Sequence, residues 1–562
     1  MRLSRRDFCL AGAAIPAATA AAAPPRPNVI LIITDDQGYP DLGAHGNPHL
    51  KTPHLDRLAA QSVQFSNFCV SPLCAPTRAS LITGRYYYRT GITDTYKGRA
   101  IMDPRESTLA EMLRRAGYRT GIFGKWHLGD CYPTRPIDKG FDEELVHLGG
   151  GLAQPSATRE DGGYFNPRLR RNGRFEKTSG YCTDIFTNAA LSFIEQNHRR
   201  PFFVYLPTNA PHDPYLVDER YSAPYHALGL PKNTANIYGM IANLDENIGR
   251  LLSKLDELKI ADNTIFIFMT DNGATNATYT AGLRNLKASV YEGGIKSPLF
   301  VRWPARLKPA KVDRLSAMID LTPTLLEACS VPAPKNIRFD GRSLLPLLEN
   351  PRTNVPERTI FIQIHRGDAP DRFRNFCVRT QRWKLLHNVP IARPNPPELR
   401  FELFDLLNDP GEKNNVIAQH PDIAAQLNAA YEAWFADVTA TRGFAPVRFI
   451  VGTPREPVTE LTRQDWRGDH AEWNDPLAAG YWEIEVQGRR RFDIELRFPP
   501  FAAGAEATLQ FQSLRLTMPV AANAASCTFA NVRLPAGPGR LEPILRSATE
   551  SRGAHFVILR QR

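Results

Sequence analysis

Acidic and amide side chains directly follow two strand-like apolar runs in this sequence. Asp35 and Asp36 come after the first run, and Asp271 and Asn272 come after the second. In open α/β sheets, ligands bind beyond the carboxyl ends of the strands. Adjacent carboxylates repel one another unless a cation lies between them, and oxygen ligands favour calcium or magnesium over zinc. Each pair alone also fits an ordinary turn or a helix cap, but together they predict a site for a hard cation.

A cysteine stands in the segment Cys74-Ala75-Pro76-Thr77-Arg78. Seven cysteines follow the first 25 residues, at irregular spacings and without a Cys-x-x-Cys pair. The odd number means that at least one cysteine is unpaired or modified, and the spacing argues against a structural zinc site. Taken alone, Cys74 fits either a buried thiol or a reactive one.

The pattern Cys-x-Pro-Thr-Arg resembles the signature of the sulfatase family, and the resemblance extends over most of residues 26–440. Further segments resemble the family's conserved elements, which contribute Lys125 and His127, His212, and Lys287. One departure stands out. Family members often have glycines just before the second lysine, whereas this chain has Asn285 and Leu286. Because of this departure, the resemblance does not determine the conformation of the loop before Lys287.

The resemblance implies that Cys74 is oxidised to formylglycine (3-oxoalanine) by a formylglycine-generating enzyme. An aldehyde in water forms a geminal diol, and one of its hydroxyls would attack the sulfur of a sulfate ester. The second hydroxyl would then let the aldehyde reform and expel sulfate, a route that a plain serine lacks.

The resemblance also implies roles for the other residues. One calcium ion would be held by Asp35, Asp36, Asp271 and Asn272, with the modified Cys74 also in contact. Arg78 would fix the formylglycine, and Lys125 and Lys287 would hold sulfate oxygens. His212 would protonate the leaving oxygen, and His127 would take a proton from the diol when sulfate leaves.

The elements that must position these residues follow an α/β pattern. Apolar runs at 28–33, 202–206 and 264–269 are typical of buried strands, and helical periodicity appears at 108–116 and 234–258. Alternating strands and helices predict a mostly parallel central sheet with helices on both faces. The sulfatase resemblance implies the alkaline-phosphatase-like version of this fold.

The sequence divides into four predicted segments: an export signal at 1–25, a catalytic α/β domain at 26–350, a C-terminal α+β subdomain at 351–445 and an all-β accessory module at 446–562. In the last segment, residues 482–486 and 492–496 alternate apolar and polar side chains around Gly488. This alternation predicts an antiparallel hairpin. The module fits a structural cap or a carbohydrate-binding role.

The first 25 residues resemble a twin-arginine signal, with Arg5-Arg6 before an alanine-rich run that is too short to span a bilayer. We therefore expect a periplasmic or secreted bacterial protein without a membrane anchor. The formal net charge is +11, which favours an anionic substrate or simply aids solubility. The three adjacent arginines at 489–491 are too few to form a nucleic-acid-binding surface.

The sequence predicts hydrolysis of sulfate esters, on a sulfated small molecule or carbohydrate. The alternatives are a phosphonate or phosphate ester hydrolase on the same fold, and a protein that binds sulfated glycans without cutting them. The exact substrate, exo or endo action and the oligomeric state are not encoded in any pattern we recognise.

Overall fold

The computed structural model describes residues 26–154, 162–276, 278–488 and 490–562. The predicted export signal at 1–25 lies outside the described residues. None of the helices in the described part of the chain is long and apolar enough to cross a bilayer.

The main sheet contains eleven strands within the described residues. They are β1 (Asn28–Thr34), β2 (Val63–Cys69), β3 (Arg119–Lys125), β4 (Glu143–His147), β5 (Arg168–Arg171), β6 (Arg174–Lys177), β7 (Phe202–Pro207), β8 (Thr264–Thr270), β9 (Lys296–Arg302), β10 (Ala310–Val312) and β11 (Ser316–Ala317).

The strands lie in the order β10-β2-β9-β8-β1-β7-β3-β4-β5-β6, and β11 pairs with β2. The central strands β8, β1, β7, β3 and β4 are parallel, whereas β9, β5 and β6 pair antiparallel with their neighbours. The three predicted buried strands are therefore adjacent. Thr34 lies beside Thr270 in the register, so the segments after β1 and β8 leave the sheet at the same edge.

Helices cover both faces of this sheet. The α-helices of the described residues are α1 (Pro53–Ala60), α2 (Cys74–Thr83), α3 (Tyr87–Thr90), α4 (Leu109–Arg115), α5 (Cys182–Asn197), α6 (Glu219–His226), α7 (Lys232–Glu257), α8 (Glu292–Ile295), α9 (Leu321–Ala328), α10 (Leu345–Glu349) and α11 (Pro421–Ala440). The helix predicted at 108–116 begins with a capping box, in which Thr108 and Glu111 each satisfy the other's backbone N–H.

Side-chain alternation along β1 explains why helices pack on both faces. Val29 and Leu31 enter one hydrophobic core, and Ile30 and Ile32 enter the other. All seven residues of β1 are buried, as expected of a central parallel strand. Each buried aliphatic side chain contributes about 1.5–3 kcal/mol to folding. The predicted fold class, a mostly parallel sheet between helices, is confirmed.

A second, four-stranded antiparallel sheet follows, with the order β12-β13-β14-β15. Its strands are β12 (Ile360–Gln363), β13 (Phe376–Arg379), β14 (Trp383–His387) and β15 (Glu402–Asp405). Side chains of this sheet and of α11, such as Leu385 and Trp434, belong to the same hydrophobic core as Val29.

Among the described residues of the C-terminal part, ten further strands form two sheets. They are β16 (Phe449–Val451), β17 (Val458–Thr462), β18 (Trp482–Val486), β19 (Arg491–Arg497), β20 (Ala505–Phe511), β21 (Leu514–Val520), β22 (Ser526–Arg533), β23 (Gly537–Arg546), β24 (Ser551–Gly553) and β25 (Phe556–Gln561). This all-β region is present as expected, whereas the exact boundaries of the four segments stay a prediction.

The predicted hairpin in this region is wrong. β18 pairs with β16 and β23 in one sheet, whereas β19 pairs with β22 and β25 in the other. Ile484 from β18 and Ile494 from β19 enter one shared core. Alternation along a strand shows that one face is buried, but two sheets packed face to face bury that face equally well. The chain therefore passes from one sheet to the other between β18 and β19, where the alternation predicts a tight turn.

Candidate active site

The four predicted metal ligands lie together where β1 and β8 end. Asp35, Asp36, Asp271 and Asn272 are all at most 2% exposed. The backbone N–H of Asp271 donates to Thr34 O (3.0 Å), and the backbone N–H of Asp36 donates to Asp271 Oδ1 (3.2 Å). These bonds join the two strand ends. Asp36 has a φ of 66°, an uncommon conformation for a non-glycine residue and one that occurs at functional sites.

Cys74 is the first residue of α2 and is 4% exposed. Its sulfur and the carboxylate oxygens of Asp35 and Asp271 all lie within 4.8 Å of one another. Burial raises the pKa of the Cys74 thiol, although Lys125 and Lys287 oppose this shift. A thiol that stays protonated is a poor nucleophile, so the surroundings do not favour an unmodified reactive cysteine.

Arg78 lies one turn after Cys74 on α2 and is 1% exposed. Its Nε and one terminal nitrogen donate to Asp271 Oδ2 at 3.1 and 2.8 Å. The other terminal nitrogen donates to the backbone oxygen of Lys125 at 3.3 Å. The guanidinium group therefore ties the cysteine helix to β8 and to the end of β3.

Two lysines contact the carboxylates of the site. Lys125 Nζ lies 2.7 Å from Asp35 Oδ2, and Lys287 Nζ lies 2.7 Å from Asp36 Oδ2. In the loop before Lys287, Asn285 has a φ of 59°. Asparagine is among the few non-glycine residues that tolerate this left-handed conformation. Asn285 therefore provides a backbone turn at the place where the family's pattern has glycines.

The two histidines present different nitrogen atoms. His127 Nε2 lies 2.7 Å from the carbonyl oxygen of Thr95, which can only accept, so Nε2 carries the proton and Nδ1 has a free lone pair. Nδ1 is buried and has no hydrogen-bond partner among the described residues. Burial lowers the pKa of His127 well below its ordinary value, and Lys125 lowers it further.

His212 is oriented the opposite way. Its Nδ1 lies 2.7 Å from the carbonyl oxygen of Asp213, and its Nε2 lies 3.7 Å from Asp36 Oδ2. Burial lowers the pKa of His212; Asp36 raises it and Lys287 lowers it, and the net direction is downward. Nε2 is therefore the atom that faces the carboxylate cluster.

The donor set fits a divalent cation. Asp35 Oδ1 and Asn272 Oδ1 are buried and accept no hydrogen bond from any described residue. Unsatisfied buried acceptors are costly, and an ion is one of the few partners that satisfies them. These two atoms are oxygens, which is the ligand type of calcium and magnesium. The structure thus brings the ten predicted site residues into one region, and their individual roles stay a prediction.

Three residues beside the site were missed from the sequence. His147 ends β4, is 7% exposed, and has a buried Nε2 without a hydrogen-bond partner in the described structure. Gly150 lies next to His127, since a Cβ built there would come within 3.2 Å of the imidazole. Gln464 comes from the all-β region. A prediction of β4 as a strand would have pointed to His147, but no sequence signal pointed to Gln464.

Gln464 is 1% exposed and makes two contacts at this site. Its Nε2 donates to Thr95 O (2.8 Å), the same carbonyl that accepts a hydrogen bond from His127 Nε2. Its Oε1 accepts from the backbone N–H of Gly150 at 3.3 Å. The C-terminal all-β region therefore contributes directly to the surroundings of His127.

Comparisons with known proteins agree with this fold. Residues 27–331 match the family model described as Sulfatase, and residues 286–434 match the one described as N-sulphoglucosamine sulphohydrolase, C-terminal. An N-acetylgalactosamine-6-O-sulfatase of Bacteroides thetaiotaomicron is 28% identical over 495 residues, which cover 73% of this chain and 93% of that protein. Human N-acetylgalactosamine-6-sulfatase is 33% identical over 382 residues, which cover 62% of this chain and 70% of the human protein.

A solved structure of Ps i-CgsB in complex with k-i-k-neocarrahexaose has a TM-score of 0.65 and 29% sequence identity, covering 75% of this chain and 95% of that one. The fold and the site together define an ester hydrolase of the alkaline phosphatase superfamily. Within that superfamily, the chain belongs to the sulfatase family.

Proposed function

We propose that this sulfatase hydrolyses sulfate esters of carbohydrates with a formylglycine made from Cys74 and one bound calcium ion. The observation that carries the proposal is the position of the Cys74 sulfur, within 4.8 Å of carboxylate oxygens of Asp35 and Asp271. A nucleophile at position 74 is thereby next to the residues that would hold the cation. Arg78 supports both by its bonds to Asp271.

The charges of the site suit an anionic substrate. Three buried carboxylates (Asp35, Asp36 and Asp271) face three cations, Arg78, Lys125 and Lys287. The protein's own charges thus balance. A divalent cation, held by the three aspartates and Asn272, would leave the site with a net positive charge and would supply Lewis-acid polarisation of a sulfate oxygen. Fixed positive charge in a buried site stabilises the developing negative charge of ester cleavage.

The converted side chain at position 74 would supply a geminal diol, and the two histidines suit the proton transfers that such a nucleophile requires. The free lone pair of His127 Nδ1 supports its role as a base, and the lowered pKa keeps this residue in the neutral form that can accept a proton. His212 Nε2, which faces Asp36, is placed to carry a proton to the leaving oxygen. The negative charge of a bound ester raises the pKa of a nearby histidine and so favours the protonated form.

The relatives support a carbohydrate substrate. Two of them are named as sulfatases of N-acetylgalactosamine, and the solved structure of a third holds a neocarrahexaose. We further propose export to the periplasm or beyond, because residues 1–25 have the composition of a twin-arginine signal. Conversion of Cys74 would then require a formylglycine-generating enzyme in the cell that makes the protein.

Rates on matched ester pairs test the reaction type. With protein expressed beside a converting enzyme, we expect kcat/KM for an aryl sulfate to exceed that for the matching aryl phosphate and aryl phosphonate by at least about 100-fold. The aryl phosphonate is a monoanion like the aryl sulfate, so its rate tests discrimination at the reacting atom, whereas the dianionic aryl phosphate also tests discrimination by charge. Faster turnover of the phosphonate would favour the alternative hydrolase, and binding of a sulfated glycan without turnover would favour the non-catalytic alternative.

Gln464→Leu tests whether the all-β region positions His127. We expect kcat for an aryl sulfate to fall by about tenfold or more with KM nearly unchanged, because groups that orient a functional histidine typically contribute 10–100-fold. Gln464→Glu keeps one acceptor and should recover part of the rate. Gln487→Leu, an exposed change in the same region, is the matched control. A loss of thermal stability with unchanged kcat would show that Gln464 is only structural.

A further inference from the structure

A cleft of about 550 Å³ lies between the catalytic α/β part and the all-β region. One wall is formed by the loop at 130–137 and by the hairpin of β5 and β6. The other wall is formed by residues 455–460 of the all-β region, with Arg497 and Arg560 at its side. The proposed reaction centre does not use this space.

Ion pairs across the cleft hold its two walls together. Arg135 contacts Glu456 at 3.0 Å, and Arg168 contacts both carboxylate oxygens of Glu460 at 3.0–3.1 Å. Paired arginine–carboxylate contacts of this kind fix geometry as well as charge. The cleft is therefore a built feature of the interface rather than a gap between loosely joined parts.

Other arginines at the cleft keep an excess of positive charge. Arg174 and Arg455 are exposed and form no ion pair with any carboxylate in the described part of the chain. Arg497 and Arg560 share a single carboxylate, that of Glu495, at 2.7 and 3.5 Å. A concave surface with charge of one sign concentrates ligands of the opposite sign.

The cleft also has an aromatic surface that suits a sugar. Phe175 of β6 lines it and is 39% exposed, with the guanidinium group of Arg168 lying 4.1 Å from the ring centroid on one face. A partly exposed flat ring suits the apolar face of a pyranose. Cationic and aromatic groups are thus combined in one cavity.

The inner end of the cleft is the wall of the active site. His147, Gly149 and Gly151 line it, and a Cβ built on Gly151 would come within 3.2 Å of the His212 ring. His147 is 7% exposed, and its Nε2 has no hydrogen-bond partner among described residues. His147 and Gly151 therefore lie where the cleft meets the active site.

We propose that this cleft binds a neighbouring anionic part of a sulfated oligosaccharide whose reactive sulfate lies at Cys74. The inference rests on the proposed function and deepens it, because it makes the substrate a chain with several negative charges rather than a single sulfated sugar. The all-β region is then a substrate-binding part of the enzyme and not only a cap.

A double charge reversal, Arg174→Glu with Arg455→Glu, tests the proposal without touching the reaction centre. Binding of size-defined dextran sulfate is measured in wild type and variants, together with aryl sulfate turnover. We expect the dissociation constant for dextran sulfate to rise about tenfold, since exposed charge contacts contribute modestly and additively. Aryl sulfate kcat/KM stays unchanged, and unsulfated dextran does not bind.

The matched control is Arg199→Glu with Arg352→Glu, two exposed arginines outside the cleft that give the same change in net charge. If both double variants bind dextran sulfate equally weakly, only overall charge attracts the polymer and the proposal is wrong. Unchanged binding of dextran sulfate by the cleft variant would also overturn the proposal. If the proposed function itself is wrong, the wild-type protein will not turn over aryl sulfate although it still binds dextran sulfate.

Discussion

Replacing Cys74 by alanine is expected to lower sulfate release by at least about 10⁴-fold, because the change removes the nucleophile and not merely a positioning group. The side chain lies at the start of α2 beside Asp35 and Asp271, where no other described cysteine is found. Loss of the sulfur should leave the fold intact, since alanine is readily accepted in a helix.

Mass spectrometry of the peptide that contains Cys74 provides the second measurement. Protein expressed with a converting enzyme should carry an aldehyde at position 74 in proportion to its activity. Cys69→Ala, which removes another buried thiol on the neighbouring strand β2, is the matched control and should keep turnover while losing some stability. Full activity with an intact Cys74 thiol would contradict the formylglycine mechanism.

Removal of divalent cations is expected to lower aryl sulfate turnover by about 10³-fold or more, and calcium should restore it. The expectation rests on Asp35 Oδ1 and Asn272 Oδ1, two buried oxygens that accept no hydrogen bond from the residues the structure describes. An ion that binds only the folded protein also raises its thermal midpoint, in proportion to the logarithm of the ion concentration over its dissociation constant. Chelation, followed by add-back of calcium or magnesium singly, is read out by both turnover and thermal midpoint.

Asn272→Ala makes this test specific for the proposed ligand set. It removes one oxygen ligand without leaving a buried cation unpaired, unlike a change at Asp35, which pairs with Lys125. We expect the calcium concentration needed for half-maximal stabilisation to rise by about 10–100-fold. Asn276→Ala, in the same loop, is the control and should behave as wild type. A thermal midpoint of the wild-type protein that does not depend on calcium would contradict the proposed metal site.

Much of the site was predictable because its residues follow recognisable local patterns. Asp35 and Asp271 each come directly after a buried, largely apolar strand, and parallel strands end at one edge of the sheet. The remaining site residues were predicted because the segments that contain Cys74 and Lys287 follow one another in the order typical of the family. The conformation of Asn285, with its positive φ, explains how the loop before Lys287 turns without the expected glycines.

The all-β region was predictable only in part. Alternation along β18 and β19 correctly indicated strands with one buried face, but it did not reveal which strands they pair with. Pairing depends on the shape of the shared core between two sheets, and a periodic pattern in one strand contains no information about its partner.

The amino-acid sequence was enough to show which segments form buried strands and where polar residues follow them, because local sterics and hydrophobic burial decide these properties of neighbouring residues. The order of the nucleophile and the cations along the chain was recognised from the resemblance to the family. Only the tertiary structure brought Gln464 to the carbonyl that holds His127, and Arg455 to the same cleft as Arg174. These residues are hundreds of positions apart in the sequence. They meet because the sheets and loops pack closely in three dimensions, and no local sequence pattern specifies that packing.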